Sequence, residues 1–205
     1  MDFDAPASPK GSNDNVPGSR ARWVFRKLWP RDAGALTIHL LRLDTEQRAF
    51  RFGYAVSDAW IEAYCAGTDW TRSVTLGCWI AGELRGVAEL KLLDRGWPPS
   101  AEAALSVDRA FESRGMGTEL CRRGLVIARN RGVSRVFMLC LPENRRIRRL
   151  IARFNPKYSF NGDQVDCEIA LRPADGLSIA AELCDDGCAL MQSLWDWQEV
   201  YAPAA

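Results

Sequence analysis

Histidine is nearly missing from this chain of 205 residues: there is one, against seven cysteines, and no two cysteines stand as CxxC. A zinc site wants clustered thiolates or imidazoles, so no metal is expected. Cys184 and Cys188, four apart, are the only close pair. Most of the seven cysteines read as small buried apolar residues in a reducing compartment. No run approaches the length of apolar sequence needed to cross a bilayer. The first residues, "MDFDAPASPKGSNDNVPGS", carry two early acids and no apolar stretch, which argues against a secretory or transit leader and for a cytoplasmic protein. Charge of either sign is also scarce in net terms, at +1, so the whole-molecule field does not attract nucleic acid or an anionic membrane.

What is present is 47% hydrophobic, enough for one domain with a full core. Residues 1–20 lack large apolar side chains and are expected to form a mobile tail. Residues 21–34 contain "RWVFRKLWP", whose Trp23, Phe25 and Trp29 alternate as one face of an edge segment. From residue 35 the elements follow in order. "ALTIHLL" is strand-like, with His39 as a core histidine. "TEQRAFRFG" and "SDAWIEAYCAG" are helical, the second with Ser57 as N-cap. "RSVTLGCWI" and "RGVAELKLL" form a hairpin, and "AEAALSV" is a further strand. "TELCRRGLVIARNRG" is an amphipathic helix, "SRVFMLCL" a buried strand, "NRRIRRLIARF" a helix and "QVDCEIAL" a last strand. Hairpins early and helical crossovers late predict an α/β domain over 35–172, with a mixed sheet and helices on its faces. Residues 173–205 predict a helical extension whose Leu183, Leu190, Leu194, Trp195 and Trp197 either cover the sheet or make a homodimer contact.

The distinctive stretch is "SVDRAFESRGMGTEL". Gly115 and Gly117 flank Met116 where a strand gives way to a helix, beside Arg114. The first N–H groups of a helix lack partners and carry partial positive charge, so anions bind there, and glycine lets a phosphate approach the amides. No GK[ST] follows, as a Walker loop requires, and the third glycine of a dinucleotide fingerprint is absent.

With a strand ending "LSV", the turn "ESRGMG" and a later Asn-led helix "ENRRIRRL", the run from Ala101 to Phe154 resembles the acetyl-coenzyme A core of the GCN5-related N-acetyltransferases, the GNAT superfamily. "LLRLDTEQRAFRFG", "GVAEL" and "AEAALSV" are similar, more narrowly, to bacterial protein-lysine acetyltransferases. The resemblance implies a mostly antiparallel sheet of about six to seven strands with a splayed pair, here 101–107 and 135–140. It also implies a function: transfer of an acetyl group from acetyl-CoA to a primary amine, on a protein lysine or a small molecule, by direct attack in a ternary complex. The backbone from Arg114 through Gly115, Met116 and Gly117 to Thr118 would hold the pyrophosphate. Ser106 and Val107 would meet the thioester arm, the Val107 amide stabilising the oxyanion, and Asn144 would hold the pantetheine. Glu102 would be the general base and Glu89 the second choice. Two positions depart from the family pattern: Glu112 stands where Gln or Arg heads the turn, and Ile151 where a tyrosine would protonate the thiolate. Tyr158 could reach in from the following loop instead. A catalytically weak acetyl-CoA sensor or interaction module is the alternative. Arg145, Arg146, Arg148, Arg149 and Arg153 read first as a solvated helix face, with the 3′-phosphate of the cofactor, an acidic protein or nucleic acid as other partners.

Overall fold

A computed structural model describes residues 22–93, 96–161 and 164–201; the side chains of 161, 164, 190 and 192–201 lie outside that description, as does the predicted tail. Its strands are β1 Val24–Lys27, β2 Ser73–Ile80, β3 Glu83–Leu93, β4 Ser100–Val107, β5 Arg135–Cys140, β6 Lys157–Asn161 and β7 Gln164–Ala170. Its helices are α1 Ala33–Leu41, α2 Thr45–Phe52, α3 Asp58–Ala66, α4 Met116–Asn130, α5 Arg145–Ile151 and α6 Gly176–Tyr201. The strands make one seven-stranded sheet ordered β1-β2-β3-β4-β5-β7-β6. Every neighbouring pair is antiparallel except β4 and β5.

The two faces of β3 define the layers. Ala88 and Leu90 pack under α4 with Leu120 and Leu125, and a Cβ on Gly86 would strike the Met116 sulfur at 2.7 Å. Val87, on the opposite face, belongs to a second core with Leu36, Leu40 and Ile61 from α1 and α3. Alternation therefore sends Glu89, and across the ladder Ala104, Glu102 and Ser106, toward the α1–α3 side.

Two elements differ from the sequence reading. "ALTIHLL" is helix α1, not a strand. Leu36, His39, Leu40 and Leu43 are all buried while Ile38 is 60% exposed, which is the i, i+3, i+4, i+7 stripe of a helix. Its β-branched and Leu-rich composition imitated a strand. Residues 157–161 form strand β6 rather than a loop, pairing with β7 at the sheet edge; Phe160 is exposed there. Elsewhere Ser57 does cap α3, accepting from the Trp60 N–H at 3.2 Å. Helix α6 lies along α4 and β1. Lys27 Nζ reaches Glu182 and Asp186 at 2.6 Å each, and Asn130 donates to Ser178 O and Glu182. Leu183 on its other side is exposed; the side chains of Leu190, Leu194, Trp195 and Trp197 lie outside the described residues. Trp23 and Phe25 pack edge to face, but Trp29 is exposed, so the three do not share a buried face.

Candidate active site

The turn into α4 is built as an anion cradle, with a different reason for each glycine. Gly115 is the N-cap residue at φ +94°, a left-handed conformation, and an added Cβ there would meet nothing within 4 Å. Its conformation, not crowding, demands glycine. A Cβ on Gly117 would lie 3.0 Å from Leu150 Cδ1, so this residue lets α5 close onto α4. No side chain caps α4, and no described hydrogen bond engages the N–H groups of Gly115, Met116, Gly117 or Thr118. The first helical bond runs from Glu119 N–H to Gly115 O at 3.0 Å.

Beside this cradle the sheet opens. Strand β4 pairs with β5 only from Ser100 to Glu102, after which the two diverge. Asp108 N–H donates to Arg85 O at 2.8 Å, so the antiparallel alternation turns the N–H groups of Leu105 and Val107 away from β3 and onto the open edge. The result is a cleft of about 380 Å³ between that edge, the α4 turn, α2 and α5. Arg149 of α5 and Arg153 in the turn just after it line the cleft, and among the described residues neither is paired with a carboxylate. Arg146 lines it too, bonded to Glu112. Glu112 also accepts from Gln47 Nε2 at 2.7 Å, and the same amide donates to Val107 O at 3.0 Å. Two donors thus hold the Glu112 carboxylate and offset its charge beside the cradle.

Two polar clusters lie on the α1–α3 side of β4 and β3. In the first, Glu89 is buried and accepts from Arg51 Nη2 and, at 3.1 Å, from the Tyr64 hydroxyl. Burial, then the Glu89 charge, pushes the Tyr64 hydroxyl up to about 12. Burial alone would lower the Arg51 guanidinium, but the carboxylate of Glu89 holds it above its ordinary value. In the second, His39 Nε2 lies 2.9 Å from Ser106 Oγ and its Nδ1 3.0 Å from Asp108 Oδ1. Arg42 and Arg85 donate to Asp108 Oδ2 at 2.8 and 3.0 Å. Burial acts to raise the Asp108 carboxyl, yet the contacts from His39, Arg85 and Arg42 outweigh it and hold the group below its usual range.

An uncapped glycine turn joined to a splayed strand pair is a frame this chain shares with known proteins. The family model of the Acetyltransferase (GNAT) family matches residues 39–155, more than half of the chain. The chain belongs to the GNAT acetyltransferase family. Solved structures share the fold at low identity. The GNAT domain of PAT from S. lividans superposes with a TM-score of 0.62 at 23% identity, covering 72% of this chain and 89% of that one. The ribosomal-protein-S18-alanine N-acetyltransferase from Escherichia coli does so at 0.58 and 12%, covering 76% and 97%. PaiA N-acetyltransferase from Thermoplasma acidophilum, solved in complex with coenzyme A, gives 0.55 and 17%, covering 73% and 99%. No curated protein sequence matches.

Of the residues the sequence singles out for the cofactor, this GNAT enzyme brings Ser106, Val107, Gly115, Gly117, Thr118 and Asn144 into one cleft. The Asn144 side chain caps α5, its Oδ1 accepting from Ile147 N–H at 3.1 Å. Arg114 and Met116 do not line the cleft with their side chains: Arg114 lies over the Phe111 ring at 5.7 Å, and Met116 is buried beneath Gly86. Glu102 is exposed on β4 outside the cleft lining, four residues before Ser106 on the same face. Tyr158 is not on a loop. It sits on β6 opposite Cys167, 41% exposed, away from the lining. Ile151, at the position of the family's tyrosine, is fully buried in the α4–α5 core. Helix α2 was not foreseen as a wall, although Glu46, Gln47, Phe50 and Arg51 all line the cleft. Nor were the Arg51–Glu89 and His39–Ser106 pairings, which join residues 38 and 67 apart. The solvated-face reading fits Arg145, which is exposed and outside the lining, whereas Arg146, Arg149 and Arg153 turn to the cleft as one stripe. Among the described residues no group of histidine, cysteine or carboxylate side chains is placed to hold a metal, and no helix is long and apolar enough to cross a membrane.

Proposed function

We propose that this enzyme moves the acetyl group of acetyl-CoA onto a primary amine, a protein lysine before a small amine, by direct attack in a ternary complex. The observation that carries the proposal is the open edge of β4, with the N–H groups of Leu105 and Val107 unpaired by β5, ending at an uncapped helix N-terminus. The pyrophosphate would rest on the amides from Arg114 to Thr118, with Arg149 and Arg153 adding charge. The pantetheine arm would pair with the β4 edge as a strand does, and the Val107 N–H would face the thioester carbonyl and stabilise its oxyanion. Of the two carboxylates, Glu89 has its oxygens engaged by Arg51 and Tyr64, which suits it to bracing α2. Glu102 is the exposed one, and it would take the proton of the incoming ammonium through water. The lysine preference is supported by the resemblance to protein-lysine acetyltransferases. A cytoplasmic setting is supported by the cysteines, all seven of which are free thiols.

The test incubates the protein with acetyl-CoA and a panel of lysine peptides, amino acids and polyamines, following thiol release. Release with peptides and not with free amines supports the reading; none with any amine overturns it. The rival, an acetyl-CoA sensor without turnover, is favoured by the buried Ile151 where a tyrosine would act. Glu102→Gln separates the two. An enzyme loses turnover and keeps its affinity for coenzyme A, and a sensor is indifferent.

A further inference from the structure

Ser106 is 7% exposed and lines the cleft, while the ring behind it, the chain's single histidine, is wholly buried. The Ser106 hydroxyl is therefore the opening of the His39–Asp108 pair onto the reaction space. Nδ1 and Asp108 Oδ1 lie 3.0 Å apart as a close polar contact, and among the described residues neither atom makes a hydrogen bond. The tautomer that serves this network carries its proton on Nδ1, toward the carboxylate, and turns the Nε2 lone pair to the Ser106 O–H at 2.9 Å. The surrounding charges are Arg42 and Arg85 on Asp108, with Glu83 against both arginines at 3.5 and 2.6 Å. The N–H of the next residue, Val107, faces the open edge, so a thioester carbonyl held there lies beside the serine.

We propose that Ser106, backed by His39 and Asp108, carries the proton from the amine nitrogen to the coenzyme A sulfur. The proposal rests on the acetyl-transfer reading above. Once a neutral amine has formed the N–C bond, the nitrogen of the tetrahedral adduct holds one proton too many. Ser106 Oγ takes that proton as its own passes to His39 Nε2, and Asp108 steadies the imidazolium. When the C–S bond breaks, its electron pair goes to sulfur. Ser106 then protonates the thiolate and recovers a proton from His39. One proton has crossed from nitrogen to sulfur, and the relay is back in its starting state. This supplies an acid in an enzyme whose family tyrosine position is the buried Ile151. Ser106 is the catalytic residue of the relay; His39 and Asp108 are positioning residues.

Ser106→Ala and His39→Gln in the full chain, assayed with acetyl-CoA and the best amine, test it. Both variants should lower kcat by about 100-fold or more while the dissociation constant of coenzyme A stays within about twofold, and both should remove a limb of the kcat–pH profile. A Ser106→Ala enzyme within about threefold of wild-type kcat, or with an unchanged pH profile, overturns the relay. An acetyl adduct on Ser106 in intact-mass spectra without amine also overturns it, since the hydroxyl would then be the nucleophile. Imidazole ¹⁵N NMR reads the single histidine independently of turnover. A ring protonated on Nδ1, whose Nε2 signal moves on Ser106→Ala, supports the relay even where melting temperatures shift, and a ring protonated on Nε2 refutes it. A wild type that binds acetyl-CoA and releases no thiol with any amine instead sinks the transfer reading, and the histidine signal still decides the hydrogen-bond polarity.

Discussion

Arg51→Met tests the brace on the α1–α3 side of the sheet. The Arg51 and Glu89 side chains are 7% and 10% exposed, and the guanidinium also lies over the Phe52 ring at 4.7 Å. Methionine keeps most of the hydrocarbon stem and removes the charge, leaving Glu89 in a buried site with only the Tyr64 hydroxyl at 3.1 Å. Breaking a buried pair from one side costs roughly 3–5 kcal/mol, because the remaining charge is uncompensated. For a chain of this size that is a fall in Tm of roughly 6–20 °C, and added salt should change it little because the site is shielded from solvent. Arg51→Met with Glu89→Leu removes both charges and should recover most of the loss, returning to within about 2 kcal/mol of wild type. Thermal and urea unfolding of the four proteins of this cycle measure the coupling. Helix α2 lines the cleft through Gln47 and Phe50, so the single variant should also bind coenzyme A more weakly. A single variant melting within about 3 °C of wild type, with no recovery in the double, refutes the claim that this pair is a desolvated brace.

Gly115→Ala forces an L side chain into φ +94° and should cost about 1–2 kcal/mol in urea unfolding, although the space beside it is open. Gly117→Ala should cost less than that if Leu150 can yield a few tenths of an ångström, and comparing the two separates strain from crowding. Arg149→Ala and Arg153→Ala should each weaken coenzyme A binding severalfold in calorimetry and make it less salt-dependent; equal affinity would place those guanidiniums away from the phosphates. Asp108 has its folded pKa depressed below the unfolded value by His39, Arg85 and Arg42 acting against burial. Its contribution to stability is therefore present above the unfolded carboxylate pKa, about 4, and lost as pH falls through the folded value. Asp108→Asn should flatten that acid limb in denaturation curves taken from about pH 6 to pH 3, and an unchanged limb would show that other carboxylates carry it.

Local patterns along the chain were enough for most of the architecture. The stripe of Leu120, Leu125, Ile127 and Ala128 makes a helix whatever surrounds it, because every third or fourth side chain shares a face. The hairpin over 73–93 and the glycine turn at 115–117 are likewise readable from neighbours in sequence. Locality failed where one composition suits two periods: "ALTIHLL" satisfies a strand on propensity and a helix on burial, and packing against α3 and β3 chose the helix. The short strand β6 exists only because β7 supplies its partners. The site divides in the same way. Ser106, Val107, Gly115 and Asn144 could be named from motifs, since a strand end, a glycine turn and a helix cap are local chemistry. What only the tertiary structure decided is which amides lie open, through the parting of β4 from β5, and which distant side chains meet: His39 with Ser106, and Arg51 with Glu89. Those pairings are set by the fold of the backbone, and a sequence read through nearest neighbours carries no record of them.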